Sequence, residues 1–362
     1  MEKLLHAGFI LTILIVTPYS VTDPINLPTM VVVVILGTTC LGTLVSRRFF
    51  HQLKKMKLLR LLSVLFVIQL LVVLIFSGRS ISQGLYGTSG RNTGFLSYFM
   101  LFVVLLAATG LRKAQSFEKI LKALFIAGFL NIVYCLFAST GNDIFTWQNP
   151  TTAVLGTFGN PNFIGAFLGI FITALTAYVI APGISWKYRG LAVILVAIGL
   201  FEIKESKAVQ GLVVSAAGFS IIGFYFIRSK FKSKLILAGY TLVIAVLGFI
   251  ALMGALQKGP LTAYLYKESV TLRGEYWQAG WNMASQFPFT GVGMDAYGDW
   301  YRRARDSQAL VVPGPEVTTN AAHNIPFDIL AYGGWPLFLS FIFLISLAAI
   351  SIIKVTLRNR NY

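Results

Sequence analysis

The chain has 362 residues, of which 56% are hydrophobic and only 12% charged, with a mean hydropathy of +0.74, and this excludes a soluble globular domain of such length. The apolar residues recur in blocks of membrane-spanning length, the pattern of a polytopic all-α membrane protein. The formal net charge of +17 would suit a nucleic-acid binder only if it were gathered on one surface, and it lies instead in the breaks between apolar blocks.

In chain order, apolar runs predict about ten spans, at 5–17, 28–45, 58–76, 95–111, 120–138, 161–180, 189–203, 209–227, 235–256 and 325–353. The first has the outline of a signal peptide. Pro18 stands where cleavage after Ser20 would need a small residue, so the run is read as a retained first helix. Cys40 and Cys135 both fall inside apolar blocks, with no second thiol or histidine at ligand spacing, so neither a disulfide framework nor a zinc site is expected. The whole chain, 1–362, is read as a single membrane domain with one long embedded loop, 257–324.

Counting Lys and Arg on alternate sides of these spans puts twenty of the thirty on the side that holds both termini. By the positive-inside rule the termini are cytoplasmic and the 257–324 loop faces outward. The basic excess is then topology plus a fit to anionic inner-leaflet lipid, and no nucleic-acid partner is expected.

Cations on the outward side have no such topological reason. Arg91 lies in a Gly-rich turn before the fourth span, and Lys207 in a polar turn before the eighth. Each can be an interfacial anchor with a snorkelling stem, but several beside one large loop favour an anion site. Before the sixth span, Asn160 suits an N-cap and Pro161 the first helical position, so that helix should start sharply and present free backbone N–H groups outward.

Within the long loop, Thr271 to Phe287 fits an amphipathic interfacial helix stopped by Pro288, with Thr271 as N-cap and Tyr276, Trp277 and Trp281 in the headgroup layer. Arg273 would then occupy the first turn, where the macrodipole disfavours a cation, on one face with Trp277 and Trp281. Such a face can hold a lipid diphosphate. Further along come Arg302, Arg303 and Arg305, with Asp295, Asp299 and Asp306 as their expected solvated partners. Of three histidines, only His323 falls on the outward side. Asn324 suits the cap of the following helix, whose positive end would keep the neighbouring imidazole neutral, as a general base must be. That last helix should kink or break at Gly333-Gly334-Trp335-Pro336.

Taken together, FGNPNF at 158–163, Ser206-Lys207-Ala208, LRGEYW at 272–277 leading to PFTGVG at 288–293, and Ala322-His323-Asn324 resemble the O-antigen ligase and polymerase family of bacterial membrane glycosyltransferases. The resemblance covers about residues 90–353. It implies transfer of a glycan from an undecaprenyl diphosphate carrier to an acceptor hydroxyl at the outer face of the plasma membrane, without cofactor, nucleotide sugar or metal. The acceptor would be a glycan, a lipid or a protein. It implies His323 as the base that activates the acceptor, and Arg273 and the position of Lys207 as diphosphate ligands. The family pattern has arginine at that second position, and lysine keeps the charge without the bidentate fork. Arg91 or the cluster Arg302, Arg303 and Arg305 can supply a further cation.

Two other readings stand beside this one. A transporter or flippase of lipid-linked sugars would carry ionisable residues or broken helices near mid-membrane, whereas the polar groups here gather at the outer interface. The third reading is an inactive or truncated membrane subunit.

Overall fold

The computed structural model describes residues 2–17, 24–111, 113–145, 153–231, 233–266 and 268–358, and among these it is all helical, with no strand. In chain order the helices are α1 (Glu2–Leu14), α2 (Asn26–Leu44), α3 (Arg47–Lys55), α4 (Lys57–Phe76), α5 (Ile81–Tyr86), α6 (Phe95–Ala108), α7 (Ala114–Ser139), α8 (Pro161–Ile180), α9 (Trp186–Glu205), α10 (Val209–Lys230), α11 (Lys234–Ala255), α12 (Thr262–Leu265), α13 (Glu268–Gln286), α14 (Tyr297–Ala304) and α15 (Ile325–Arg358). Among the described residues, six stretches are long and apolar enough to cross a membrane: Lys57–Phe76, Gln115–Ser139, Pro161–Ile180, Val209–Lys230, Lys234–Ala255 and Ile325–Val355. By length and composition these make the protein a multi-pass membrane protein.

The chain forms two compact units. The first comprises Met1–Val32 and Leu111–Phe249. Its axis is α8, packed against α9 and α10 around a core of Ile164, Leu168, Phe171, Ile172 and Ile203. Gly169 and Gly211 let the α8 and α10 backbones nearly touch, since a Cβ on Gly169 would lie 2.9 Å from the Gly211 carbonyl. Between lipid-like surfaces, which offer helices no hydrophobic gain on pairing, such close backbone contact is what holds them together.

Asn160 opens α8. Its side chain accepts from Asn162 N–H at 2.9 Å, and Pro161 occupies the first turn, where a missing N–H leaves nothing unpaired. The preceding turn is fixed from α7, where the buried Asn131 accepts the Thr157 N–H at 3.1 Å.

The second unit comprises Val33–Gly110 and Ile250–Tyr362. Here α15 packs against α4 and α13 around Leu70, Met283, Met294, Tyr297, Tyr301 and Tyr332. The expected break is present: Gly334 has φ 64°, and Pro336 lies inside the helix. The reversal at Gly334 and the missing N–H of Pro336 strip Ala331 O and Tyr332 O of their helical donors. The turn after α13 replaces them, with Val292 N–H donating to Ala331 O at 2.9 Å and Gly293 N–H to Tyr332 O at 3.0 Å. The freed Trp335 N–H donates in return to Pro288 O at 2.9 Å.

Candidate active site

The site lies in the second unit, where the chain enters α15. Ala322 is held by both its backbone groups: its N–H donates to Asp328 Oδ1 at 2.7 Å, and its carbonyl accepts from Trp277 Nε1 at 3.1 Å. Held this way, the next residue, His323, adopts a left-handed backbone with φ 52°, uncommon for a residue with a side chain. Asn324 then caps α15, its Oδ1 accepting from Phe327 N–H at 3.4 Å and its carbonyl from Asp328 N–H at 2.8 Å.

The imidazole packs beside Tyr276, with ring centroids 5.8 Å apart, and His323 Nε2 lies 3.4 Å from Thr319 Oγ1. The Thr319 hydroxyl donates to Ala321 O at 2.7 Å, so towards His323 it can only accept, which favours the Nε2–H tautomer and leaves Nδ1 with its lone pair. The residue is open to solvent at one edge, yet the ring has lost part of its hydration. That burial, then the nearby Arg273 and Arg91 guanidinia, push its pKa below the ordinary imidazole value. Burial and the two arginines thus favour the neutral state, beside the start of α15 that the sequence also pointed to.

Arg273 is half-buried on α13, and among the described residues no hydrogen bond or ion pair engages its guanidinium. The helix begins at Glu268, so Thr271 is not its cap and Arg273 lies beyond the first turn. The tryptophans beside it also make contacts of their own: Trp277 stacks on Phe327 at 5.5 Å, and Trp281, still 46% exposed, meets Trp335 edge-on at 5.1 Å. They hold α13 against α15. Next to Arg273 on α13, a shallow cavity of about 350 Å³ is lined by Leu272, Glu275, Gln308, Val311 and Val312.

Arg91 reaches the same place from the loop before α6. Its Nε donates to Asp295 Oδ1 at 2.9 Å, one terminal nitrogen to Asn320 at 3.1 Å and the other to the Tyr332 hydroxyl at 3.3 Å. Burial opposes its charge, but Tyr332 and Asp295 more than offset this and hold its pKa above the usual value. Two of its five N–H groups remain for another acceptor.

The aspartates do not do what the sequence suggested. Asp295 is buried, with φ 56°, and besides Arg91 it accepts from Thr88 N–H at 2.7 Å and Thr93 N–H at 3.3 Å, tying that loop to the turn after Gly293. Asp299 pairs with Arg79 at 3.0 Å, and Asp306 accepts from Asn282 at 2.7 Å. None of the three pairs with Arg302, Arg303 or Arg305, because backbone donors and buried cations from distant parts of the chain reach them first. Arg305 instead donates to Val317 O and Pro315 O at 3.1 and 3.0 Å, and Arg303 lies over Trp300 at 5.3 Å. Arg302 and Arg303 are exposed. The structure thus brings Arg91, Arg273 and His323 together and gives the cluster on α14 other contacts. Arg79, Thr319, Asn320 and Tyr332 carried no sequence signal beyond residue type.

In the first unit, Lys207 also has a left-handed backbone, φ 55°. Ser206 and Ala208 on either side are buried against α8 at Gly165, and the lysine between them is turned outward.

Residues 204–342 match a family model described as O-antigen ligase. Over this stretch the chain is similar to the O-antigen ligase family. The match contains Lys207, Arg273, Arg302, Arg303, Arg305, His323 and Asn324, and leaves Arg91 and Asn160 outside it. The matched family is one of membrane glycosyltransferases of the ligase and polymerase class, which work on lipid-linked glycans. No curated protein and no solved structure matches the chain.

Proposed function

We propose that the protein moves a glycan from an undecaprenyl diphosphate carrier to an acceptor hydroxyl at the outer face of the bacterial plasma membrane, without metal. The observation that carries this reading is a histidine of lowered pKa, bonded only weakly, facing two arginines in a family that transfers lipid-linked glycans. His323 takes the acceptor proton on Nδ1. The acceptor oxygen forms its bond to the anomeric carbon as the bond from that carbon to the diphosphate oxygen breaks, and the diphosphate leaves with both electrons. Arg273, with the spare N–H groups of Arg91, neutralises the charge that develops on it. Arg302 and Arg303 are exposed cations suited to attracting an anionic donor, and Arg305 to shaping the loop.

The family resemblance also assigns a cation to the position of Lys207, so Lys207→Ala should weaken donor binding. The test of the whole reading is to supply labelled lipid-linked glycan to membranes and follow label into acceptor, with wild type beside His323→Ala. Equal transfer by the two would remove the base assignment.

The same reading is of one membrane domain with both termini in the cytoplasm and the 257–324 loop outside. A cysteine introduced at Ser307, in a background without Cys40 and Cys135, should react with an impermeant thiol reagent in intact cells. Reaction only after lysis would reverse the orientation.

A further inference from the structure

The turn after α13 is joined to a second place besides the break in α15. Gln69 Nε2 donates to Phe289 O at 2.6 Å. Gln69 is the one polar side chain in the run from Val64 to Phe76 of α4, and α4, 20 residues long and among the most apolar helices of the chain, is a candidate span. At 1.5 Å per residue α4 covers about the 30 Å thickness of a bilayer core, and Gln69 stands about 10 Å inside its Phe76 end. The carbonyl it holds must lie at a similar depth.

Backbone at that depth is tolerated only where its polar groups find partners. Around this turn the carbonyls of Phe287, Pro288 and Phe289 do. Pro288 has no N–H, and its carbonyl accepts from Trp335. The Phe289 carbonyl has Gln69, Gly291 N–H donates to Phe287 O, and Val292 and Gly293 fill the two carbonyls freed by the break. The Phe289 ring itself is 72% exposed. Beside Gln69, α4 exposes Ile68 and Leu71, and beyond its break α15 exposes Leu339 and Phe343, apolar surface of the kind that faces lipid.

We propose that residues 288–290 form a re-entrant turn that dips into the bilayer, with the Phe289 ring among the acyl chains. The loop between α13 and α14 is then not wholly in water: one turn of it is anchored in hydrocarbon, held by Gln69 on one side and the broken α15 on the other. This rests on α4 crossing the membrane and is independent of which face the loop is on.

The test places bimane on a cysteine at Phe289, at Thr290 and at Ser307, one at a time, in a background without Cys40 and Cys135, with the protein in lipid nanodiscs open to solvent on both faces. The Phe289 and Thr290 probes should emit to the blue of the Ser307 probe, be quenched by lipids carrying a mid-chain nitroxide, and be quenched several-fold less by iodide than the Ser307 probe. Emission and iodide quenching at Phe289 and Thr290 equal to those at Ser307, with no nitroxide quenching, would overturn the proposal. Gln69→Leu should raise iodide access at Phe289, and an unchanged value would remove Gln69 as the anchor. Failure of the orientation test in cells would leave these depth readings as they are.

Discussion

Residues 156–165 and 319–334 are built from similar parts and do different things. Each has an asparagine N-cap, a proline in the first helical turn and a residue with positive φ just before the cap, Gly159 in one and His323 in the other. In the first, the approach to the helix is closed by neutral groups: Asn131 binds Thr157, and Gly156 sits under Ile164. In the second, the approach is crossed by Arg91 and Asp295 from loops far apart in sequence, Arg273 stands near, and the helix breaks two turns further on. The difference shows that a capped helix start is scaffolding by itself. Reactivity comes from what other segments bring to it.

The comparison is broken most severely by removing the base. His323→Ala should lower single-turnover transfer by about 10²–10⁴-fold while leaving donor binding nearly unchanged, because a proton acceptor is lost and no donor contact is. Near-normal turnover would make the second helix start as inert as the first.

Gly334→Ala should come next. A Cβ there would meet Pro288 O at 2.3 Å and Phe287 O at 3.0 Å, both backbone, at a positive φ that already costs about 1–3 kcal/mol for a side chain. The variant should melt well below wild type in detergent and lose transfer. Gly156→Ala, in the other segment, carries the same φ cost at φ 56° but meets side chains and no backbone, Ile164 at 2.5 Å and Asn131 Oδ1 at 3.2 Å, and should melt closer to wild type.

Arg273→Lys keeps the charge and loses the fork, so donor affinity should fall by roughly 1.5–3 kcal/mol as measured by binding. Unchanged affinity would remove Arg273 from the diphosphate.

The pH profile sharpens the electrostatic part. With its pKa below the ordinary 6.5, His323 stays neutral as pH falls through that value, and the rate should decline only below it. Arg273→Gln removes a repelling charge, so the acid limb of the residual activity should move to higher pH. The unfolded chain takes up this proton first, so the same group makes stability fall as pH drops below about 6.5. An acid limb that does not move would mean that Arg273 has no influence on the imidazole.

Smallest are the caps. Asn160→Ala and Asn324→Ala should each cost about 1 kcal/mol of stability, and only Asn324→Ala should also lower turnover, since it loosens the residue after the base. A melting curve and a transfer assay on both variants check this.

Much of the fold was legible in the chain. Helix positions follow from apolar runs longer than any strand. The starts at Asn160 and Asn324 follow from cap chemistry, and the break at Gly334 follows from two glycines and a proline in five residues. The contacts that Trp277 and Trp281 make with α15 were not, because an aromatic stripe looks the same whether it meets headgroups or another helix. The same holds for Asp295, whose local sequence is that of a solvated turn although its carboxylate is buried under three donors.

Periodicity, caps and breakers act within a turn or two of the chain, so the sequence by itself determined an all-helical membrane protein, the starts of α8 and α15 and the family to which its motifs point. Which charges meet is decided between residues about two hundred apart, as with Arg91 and Asp295. Coulomb and hydrogen-bond energies depend on distance in space and on exclusion of water, and neither exists until the helices have packed. Only the tertiary structure could therefore bring Arg91, and not the cluster on α14, to join Arg273 near His323, and bury the imidazole enough to favour its neutral form.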